Sequence, residues 1–346
     1  MEKEVDYIIV GQGLAGSVLS FILLKEGKTV HVIDSMQQNT SSRVAAGLYN
    51  PITGRKMVKT WNADKLFPLI EPFYAEMEEW GQARFLYPIG IFRPFLDNKE
   101  LNEWQAKVSE PAFSAFVKNI YAGNRFEHTV NEFGGLDLQP SGYLDIPVLL
   151  KSVNGLLRSQ KMFLEGQFHE GELKFLDNTV SYRGIKARKI VFCTGVNTTS
   201  FFDWLPLRPV KGEILEIEAP IKIETIINRG VFIVPKPKGR FKVGSTYNKD
   251  DLTTDVTERG IKYLKDKLGA LLRTDYKIVQ GVAGLRPATA DRRPFIGFHP
   301  DKPEIGLLNG FGTKGVSLLP YYANQFYKHA EFGEELDKEV NISRYF

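Results

Sequence analysis

The sequence contains one cysteine, Cys193, among its 346 residues. A lone cysteine excludes an intrachain disulfide and a redox cysteine pair, and it fits a protein of a reducing compartment. No apolar run is long enough to cross a bilayer as a helix, and the first residues do not have the form of a signal peptide. We therefore expect a cytoplasmic protein without a membrane span.

Metal sites and catalytic nucleophiles also lack their usual motifs. The five histidines have no short spacing typical of metal ligands, among themselves or with Cys193. The sequence has neither a G-x-S-x-G nucleophile elbow nor a P-loop. Its net charge of +4 says little by itself about nucleic acid. We predict no metal, and we expect a cofactor to supply any difficult chemical step.

The composition is that of a globular protein, with 43% hydrophobic and 25% charged residues. A chain of this length suggests about two domains.

The first 34 residues contain the most informative pattern. An apolar run leads into a Gly-x-Gly-x-x-Gly turn, a helical segment follows, and a second apolar run ends at Asp34. In a dinucleotide-binding βαβ unit, Gly11 would form the tight turn, Gly13 would let a pyrophosphate approach, and Gly16 would let the helix pack closely on the strand. Asp34 would accept hydrogen bonds from a ribose. The motif could also be an ordinary glycine-rich turn, and by itself it leaves the identity of the dinucleotide open.

The segments after Asp34 predict further elements. Residues 43–56 are mostly small, so they could lie against a flat ligand or form a flexible loop. Apolar periodicity predicts a helix over 64–80, and Asp145 is a candidate N-cap for a second helix over 146–160. Residues 119–142 look irregular.

The second half of the chain alternates between two kinds of strand pattern. Short strands from 163 to 182 predict a small meander, and the apolar run 187–195 is typical of a buried parallel strand that returns to the first sheet. Alternating strands between 213 and 244 predict a separate antiparallel sheet. A glycine-rich turn at 310–315 precedes a final helix over 316–329.

Several segments together indicate one family. They are 11–16 with Asp34, 43–50, 190–195, 209–212, 243–246, 284–297 and 309–318. Through them the chain resembles the FAD-dependent amino-acid oxidoreductases of the D-amino-acid oxidase superfamily. It is particularly similar to glycine oxidase and to the flavin half of the bifunctional enzyme that finishes 5-methylaminomethyl-2-thiouridine in tRNA. The resemblance covers nearly the whole chain.

The resemblance implies an α/β fold, α+β overall, with a Rossmann-type FAD-binding domain and a second, antiparallel-sheet substrate domain. The FAD-binding domain would comprise 1–84, 145–206 and 280–346, and the substrate domain 85–144 and 207–279. One branch of the family attaches flavin through a cysteine in the C-terminal half of the chain. Because Cys193 lies instead in the turn near the adenosine, we expect noncovalent FAD.

The resemblance also implies which residues form the site. The expected cofactor-binding residues are Gly11, Gly13, Leu14, Ala15, Gly16, Asp34, Ser35, Arg43, Ala45, Ala46, Gly47, Thr194, Gly195, Gly312, Thr313, Lys314, Gly315 and Val316. Arg286 would hold the carboxylate of the substrate, since its planar fork suits that group. It could instead be a structural arginine paired with Asp291. Tyr49 and Tyr247 are candidates for lining the substrate pocket.

One departure from the family concerns the last glycine turn. Glycine oxidase has an arginine there, where this chain has Thr313 and Lys314. The tRNA-modifying relatives have an arginine just before the final glycine of the turn, so Lys314 is closer to theirs.

The implied reaction is hydride transfer from the Cα–H of a neutral amine to flavin, giving an imine that water hydrolyses, with oxygen or an electron carrier as the final acceptor. A different substrate with the same fold would be a carboxymethylaminomethyl-modified tRNA base, for which the basic clusters Arg55-Lys56-Lys59 and Lys236-Lys238-Arg240-Lys242 would bind phosphates. Those clusters could equally be solvated surface charge.

Two further classes of protein share the first glycine turn. One is a flavin-binding protein without catalysis, which turnover of any amine would exclude. The second is an NAD dehydrogenase, which would have no use for the C-terminal glycine turn.

Overall fold

The computed structural model describes residues 3–54 and 56–346. Its α-helices are α1 (Leu14–Lys25), α2 (Ser41–Val44), α3 (Ala63–Gly81), α4 (Asn98–Lys107), α5 (Ile146–Ser159), α6 (Glu258–Gly269) and α7 (Gly315–Phe332). Short 3-10 turns occur at Glu170–Glu172, Ser200–Phe202 and Ile342–Tyr345. The helices over 64–80 and 146–160 and the final helix are therefore confirmed within a few residues.

The strands follow in chain order. They are β1 (Lys3–Val10), β2 (Val30–Asp34), β3 (Leu48–Tyr49), β4 (Ile52–Thr53), β5 (Val58–Lys59), β6 (Leu86–Tyr87), β7 (Ile91–Pro94), β8 (Val117–Tyr121), β9 (Gly135–Leu138), β10 (Gly142–Leu144) and β11 (Phe163–Glu165). The second half adds β12 (Leu173–Leu176), β13 (Thr179–Tyr182), β14 (Ile185–Phe192), β15 (Val210–Glu218), β16 (Ile226–Arg229), β17 (Val231–Lys236), β18 (Arg240–Gly244), β19 (Lys277–Arg286), β20 (Phe295–His299) and β21 (Lys302–Asn309).

The first sheet has the order β11-β2-β1-β14-β13-β12, with β21 beside β14 and β20 beside β21. Strands β2, β1, β14 and β21 are parallel. The central strands are apolar on both faces because both are covered: residues 7–10 of β1 and 190–192 of β14 are all buried. The expected return of the 187–195 strand to the first sheet is confirmed.

The second sheet has the order β19-β15-β18-β17-β16-β7-β9-β8 and is antiparallel except between β16 and β7. Its alternating strands bury both faces. One face packs on α6 through side chains such as Leu215, Val243 and Leu264. The opposite face, with Ile214 and Ile226, belongs to the core shared with α1, α3 and α7. The α/β fold with a parallel sheet and a second, largely antiparallel sheet is confirmed.

Two small sheets connect these layers, β3-β10-β6 and the hairpin β4-β5. The domain boundaries expected from the sequence stay predictions. The boundary at residue 280 falls inside β19, which pairs with β15 along its whole length to Arg286. No helix of the described residues is long and apolar enough to span a membrane.

Three local expectations were wrong. Residues 119–142 are not simply irregular, because β8, β9 and the start of β10 lie there, paired with strands distant in sequence. Strand β11 is not part of the meander, since it pairs in parallel with β2. Asp145 occupies the N-cap position of α5 but does not cap it; its carboxylate accepts a hydrogen bond from Lys236 Nζ at 2.7 Å instead.

Candidate cofactor and substrate site

A cavity of about 560 Å³ lies between the two large sheets. One end is lined by residues at the carboxyl ends of β1, β2 and β14, where ligands of open α/β sheets bind. The other end is lined by the second sheet, including Ile214, Asn228, Phe232 and Arg286. The volume is in the usual range for small-molecule sites, roughly 300–1,000 Å³.

The first glycine turn, residues 11–16, is fixed by close backbone contacts. Gly11 has φ +101°, and a Cβ there would lie 2.5 Å from the carbonyl oxygen of Cys193. A Cβ on Gly16 would lie 1.9 Å from the carbonyl oxygen of Gly11. At Gly13 the nearest atom to such a Cβ is Ser42 Oγ at 3.1 Å. Gly11 and Gly16 are therefore required by the packing of the protein's own backbone, whereas a Cβ on Gly13 would meet only a side-chain hydroxyl.

Two long helices begin at this cavity. The N-cap of α1 is Gly13 and that of α7 is Lys314, and neither has a side-chain cap. Both helix starts line the cavity. In α1 the Leu14 amide donates to Ser42 Oγ at 3.0 Å. Because the helix dipole and the remaining N–H groups of a first turn favour negative charge, the arrangement suits an anionic ligand that extends between the two helix starts.

Asp34 lies at the end of β2 in the cavity wall. One oxygen of its carboxylate accepts a hydrogen bond from the amide of Gln12 at 2.6 Å, and the other accepts one from the amide of Met36 at 2.6 Å. These bonds hold the carboxylate in place beside the glycine turn. Its remaining lone pairs are available to a ribose.

The turn after β14 forms the neighbouring part of the wall. Thr194 and Gly195 line the cavity, and Asn309 Nδ2 donates to the carbonyl of Gly195 at 2.9 Å. Asn309, at the end of β21, also lines the cavity. It was not among the predicted site residues, although it begins the segment 309–318 that contributed to the family resemblance.

Arg286 lies at the substrate end, on β19. Its Nη2 donates to Ser245 Oγ at 2.7 Å, and its other bonds go to the carbonyl oxygens of Lys211 and Thr246 at 3.2–3.3 Å. Among the described residues no carboxylate pairs with it. Burial lowers the pKa of Arg286, an effect that nearby Tyr247 opposes, and the group keeps its charge.

The acid expected beside Arg286 is engaged elsewhere. Asp291 accepts from Arg344 Nε at 3.0 Å and from Tyr345 Oη at 3.1 Å. The expectation of a structural Arg286–Asp291 pair was therefore wrong, because the C-terminal turn supplies the partners of Asp291. Arg286 is left with neutral acceptors only.

Buried polar residues under Arg286 hold its acceptors in position. Lys211, only 1% exposed, pairs with Asp251 at 2.5 Å and donates to Thr253 Oγ1 at 3.0 Å. This fixes the segment after β18 that carries Ser245 and Thr246. Residues 209–212 were among the segments that carried the family resemblance, but no role was predicted for Lys211, because a lysine in a strand usually faces solvent.

Lys314 is a second cation of the cavity wall. Its Nζ has one weak partner, Thr60 Oγ1 at 3.4 Å, and among the described residues no acid pairs with it. Removal from water lowers its pKa to about 8. It therefore loses its proton in a range where most lysines stay charged.

Most predicted site residues come together in this cavity. The lining includes Gly11, Gly13, Leu14, Ala15, Asp34, Ser35, Ala45, Ala46, Gly47, Thr194, Gly195, Arg286 and the turn from Gly312 to Val316. Four predicted residues are outside the lining: Gly16, Arg43, Tyr49 and Tyr247.

The four differ in their surroundings. Gly16 lies behind the turn, where the lack of a side chain lets α1 pack closely against the backbone of Gly11. Arg43 extends towards Met36. Tyr49 is fully buried and donates to Glu71 Oε1 at 3.0 Å, and Tyr247 is 58% exposed. Neither tyrosine therefore faces the cavity.

A family model described as FAD dependent oxidoreductase matches residues 6–326. Among curated proteins, the chain is 23% identical to glycine oxidase of Bacillus subtilis (strain 168), covering 92% of this chain and 91% of that protein. It is 24% identical to the tRNA 5-methylaminomethyl-2-thiouridine biosynthesis bifunctional protein of Leptospira borgpetersenii, over 84% of this chain. In that second case the match spans only 47% of the relative.

Solved structures share the fold. Glycine oxidase from Geobacillus kaustophilus has a TM-score of 0.75 at 20% identity, with 96% of each chain covered. Iminodiacetate oxidase from Chelativorans sp. BNC1 has a TM-score of 0.78 at 18% identity, with 98% of each chain covered.

Proposed function

The chain belongs to the family of FAD-dependent oxidoreductases, as the sequence resemblance predicted, and from this premise we propose that it oxidises the Cα–N bond of an amino acid or secondary amine. The observation that carries the proposal is Arg286: a partly buried guanidinium in the cavity wall, held by neutral acceptors and without a carboxylate partner among the described residues. A carboxylate is the ligand that this fork suits best.

The residues at the other end of the cavity fit FAD. Gly13 lines the cavity and would let the pyrophosphate approach the backbone at the start of α1, and Asp34 would accept hydrogen bonds from the ribose. The turn from Gly312 to Val316 would place the start of α7 against the flavin ring. When bound, FAD supplies the acceptor for the hydride that leaves the substrate. The contacts that we assign to it are noncovalent.

The chain's own residues then orient the substrate. Arg286 holds the carboxylate, and the apolar side chains of Ile214 and Phe232 exclude water beside it. The Cα–H of the neutral amine leaves as hydride and the substrate becomes an iminium ion, so this step needs no obligatory acid or base from the protein. Water then hydrolyses the iminium ion to the carbonyl product and the amine. The main contributions of the protein are therefore position and electrostatics.

The direct test starts with the purified protein. We expect it to be yellow, with roughly one FAD per chain because there is one dinucleotide turn, and acid precipitation should leave the flavin in the supernatant. Under anaerobic conditions an amino acid should bleach the flavin. Flavin that stays with the pellet would contradict noncovalent binding, and a colourless protein that binds NAD would contradict the proposed class.

Lys314 should make carboxylate binding depend on pH. Its pKa of about 8 means that the local positive charge is present below pH 8 and disappears above it. The affinity for propionate, which stays ionised throughout, should therefore fall about five- to thirtyfold as the pH rises from 7 to 9.5, for a charge interaction of about 1–2 kcal/mol. Titrating the flavin spectrum with propionate measures this.

Lys314→Met is the matched variant, and its propionate affinity should be low and nearly independent of pH. The same pKa shift affects stability. Between about pH 8 and 10.5 the unfolded chain binds more protons than the folded protein, so the destabilising effect of the buried Lys314 charge decreases as the pH rises. A wild-type affinity that is flat across pH 8 would remove Lys314 from the site.

A modified tRNA base as substrate is less well supported. Three of the seven basic residues proposed for tRNA pair with neighbouring acids: Lys59 with Asp64, Lys236 with Asp145, and Arg240 with Glu216. Arg55 lies outside the described residues. Charges that are already paired contribute less to phosphate binding, which favours a free small-molecule substrate.

A further inference from the structure

A second arginine, Arg93 on β7, is buried, and among the described residues it has no hydrogen-bond or ion-pair partner. It is only 9% exposed, and its Nε is fully buried with no acceptor. None of the described residues forms a hydrogen bond or ion pair with its guanidinium. Burial lowers the pKa of Arg93 to about 10, and Arg229 adds to the effect. An isolated buried cation is destabilising unless an anion satisfies it.

The nearest acid does not serve Arg93. Glu100 Oε2 accepts from Arg229 Nη1 at 2.8 Å and from the amide of Leu96 at 2.9 Å. Arg229 also donates to the carbonyl of Pro94. The carboxylate in this region is therefore already satisfied by Arg229 and the backbone, and Arg93 is the arginine left over.

The register of the second sheet shows which way Arg93 faces. Strands β16 and β7 pair Ile226 with Ile91 and Ile227 with Phe92, so the next pair in register is Asn228 with Arg93. Registered neighbours in a sheet project from the same face. Asn228 lines the cavity, and Arg93 therefore lies on the cavity-facing side, one strand beyond it.

Asn228 and Arg93 end a row that crosses the sheet. Asn228 pairs with Phe232, Phe232 with Gly244, and Gly244 with Ile214. Three members of the row, Ile214, Phe232 and Asn228, line the cavity. The row thus leads from the apolar wall near Arg286 to the polar side chains of Asn228 and Arg93. The Asn228 side chain forms no hydrogen bond with the described residues.

The charges around the substrate do not balance with one carboxylate. Arg286 and Lys314 line the cavity, Arg93 lies beside it, and none of the three is paired with an acid of the described residues. The acids that line the cavity, Asp34 and Glu170, are at the cofactor end. A single carboxylate on Arg286 would leave Arg93 unsatisfied.

We infer that Arg93 and Asn228 bind a second acidic group of the substrate, which is then an amine carrying two acidic groups. The inference rests on the proposed function and narrows its substrate class. From β18, which leads into Ser245, to β7 there are three strand spacings of about 4.8 Å, roughly 14 Å. Long arginine side chains shorten this span, so the two acidic groups should be separated by several bonds.

Binding of unreactive acids tests the inference without turnover. Straight-chain dicarboxylates from malonate to suberate are compared with monocarboxylates of equal length, by titrating the flavin spectrum of the FAD-loaded protein. We expect at least a tenfold preference for one of the longer dicarboxylates in the wild type. Arg93→Met should abolish this preference and leave the monocarboxylate affinities unchanged.

Control variants separate this role from a structural one. Arg240→Met removes an exposed arginine from the same sheet and should keep the preference, while Asn228→Leu should reduce it. Thermal unfolding without ligand should show Arg93→Met at least as stable as the wild type, since a buried unpaired charge has been removed. If Arg93 had only a structural role, Arg93→Met would lower the midpoint of thermal unfolding and reduce the affinities for monocarboxylates and dicarboxylates alike. That result would overturn the inference.

The same proteins distinguish failure of the inference from failure of the proposed function. Equal affinities for dicarboxylates and monocarboxylates in the wild type would overturn the inference, while anaerobic flavin reduction by neutral amino acids would still support the proposed oxidation. If neither neutral nor acidic amino acids, nor amines, reduced the flavin, the proposed function would fail. The binding comparison decides the role of Arg93 in either case.

Discussion

Arg286→Ala should abolish the preference for amino acids over the matching decarboxylated amines. Among the described residues, Arg286 is the only guanidinium in the lining, and its partners are a hydroxyl and two backbone carbonyls. Its loss leaves a substrate carboxylate in a partly desolvated wall without its cation. By analogy with broken buried pairs, the loss should be about 3–5 kcal/mol, or roughly 150- to 5,000-fold in the efficiency of flavin reduction.

The measurement is the rate of anaerobic flavin reduction by paired substrates, with and without the carboxylate. The variant should keep slow oxidation of the amines and normal FAD content, because Arg286 is at the opposite end of the cavity from Asp34. The efficiency of Arg286→Lys with amino acids should lie between those of the wild type and Arg286→Ala. The loss should appear mainly as a higher KM, since lysine keeps the charge but lacks the planar fork.

A second variant tests the position of the guanidinium without removing it. A Cβ on Gly212 would lie 1.9 Å from Arg286 Nη2, so Gly212→Ala should push the guanidinium away from Ser245. The efficiency of flavin reduction should then fall more for amino acids than for the matching amines. If Arg286→Ala reduced its flavin with amino acids as fast as the wild type, the carboxylate would be bound elsewhere, and Lys314 would be the next candidate.

Gly16→Ala should yield protein without FAD. The new Cβ would lie 1.9 Å from the carbonyl oxygen of Gly11, and neither backbone can move away easily because α1 is packed on β1. Overpacking of this kind costs about 1–3 kcal/mol and more when backbone must shift. The glycine turn that would hold the pyrophosphate would open, and bound flavin should fall below a tenth of the wild-type content.

Gly13→Ala is the matched comparison, since its Cβ would meet only Ser42 Oγ at 3.1 Å. This variant should fold, with an apoprotein thermal midpoint close to that of the wild type, because the Ser42 side chain can move by the small amount required. It should bind FAD more weakly because the methyl group and the displaced hydroxyl narrow the turn at the cavity wall. Flavin content and apoprotein unfolding distinguish the two effects. Full FAD content in both variants would show that the cofactor does not approach this turn.

Local patterns were sufficient for the regular elements near the N-terminus. Strand, glycine turn, helix and strand are contiguous between Lys3 and Asp34, so their periodicity and turn chemistry are visible in a short window. The same local logic identified α3, α5 and α7. It failed at residues 119–142, where β8 and β9 are specified by pairing with each other and with β7 rather than by their own short sequences.

The side-chain contacts at the substrate end of the cavity were even harder to predict from local sequence patterns. The resemblance of motifs predicted a role for Arg286. That it has no acidic partner among the described residues depends on how β15, β18 and β19 pair and on Asp291 binding Arg344 instead. Tyr49 and Tyr247 were plausible aromatics, yet one is buried against Glu71 and the other is exposed. Position along the chain does not determine which face a side chain takes in a sheet built from distant strands.

The sequence by itself predicted the family through motifs spread along the chain. It also predicted the glycine turn at residues 11–16 and the position of Asp34, because these lie in one contiguous βαβ unit. Only the tertiary structure decided which cations are left without acids. Arg93, Arg286 and Lys314 come from β7, β19 and the start of α7, segments more than 20 residues apart in the chain. Whether a charge is paired depends on burial and on neighbours across the sheet, and those are fixed only when the distant strands pack together.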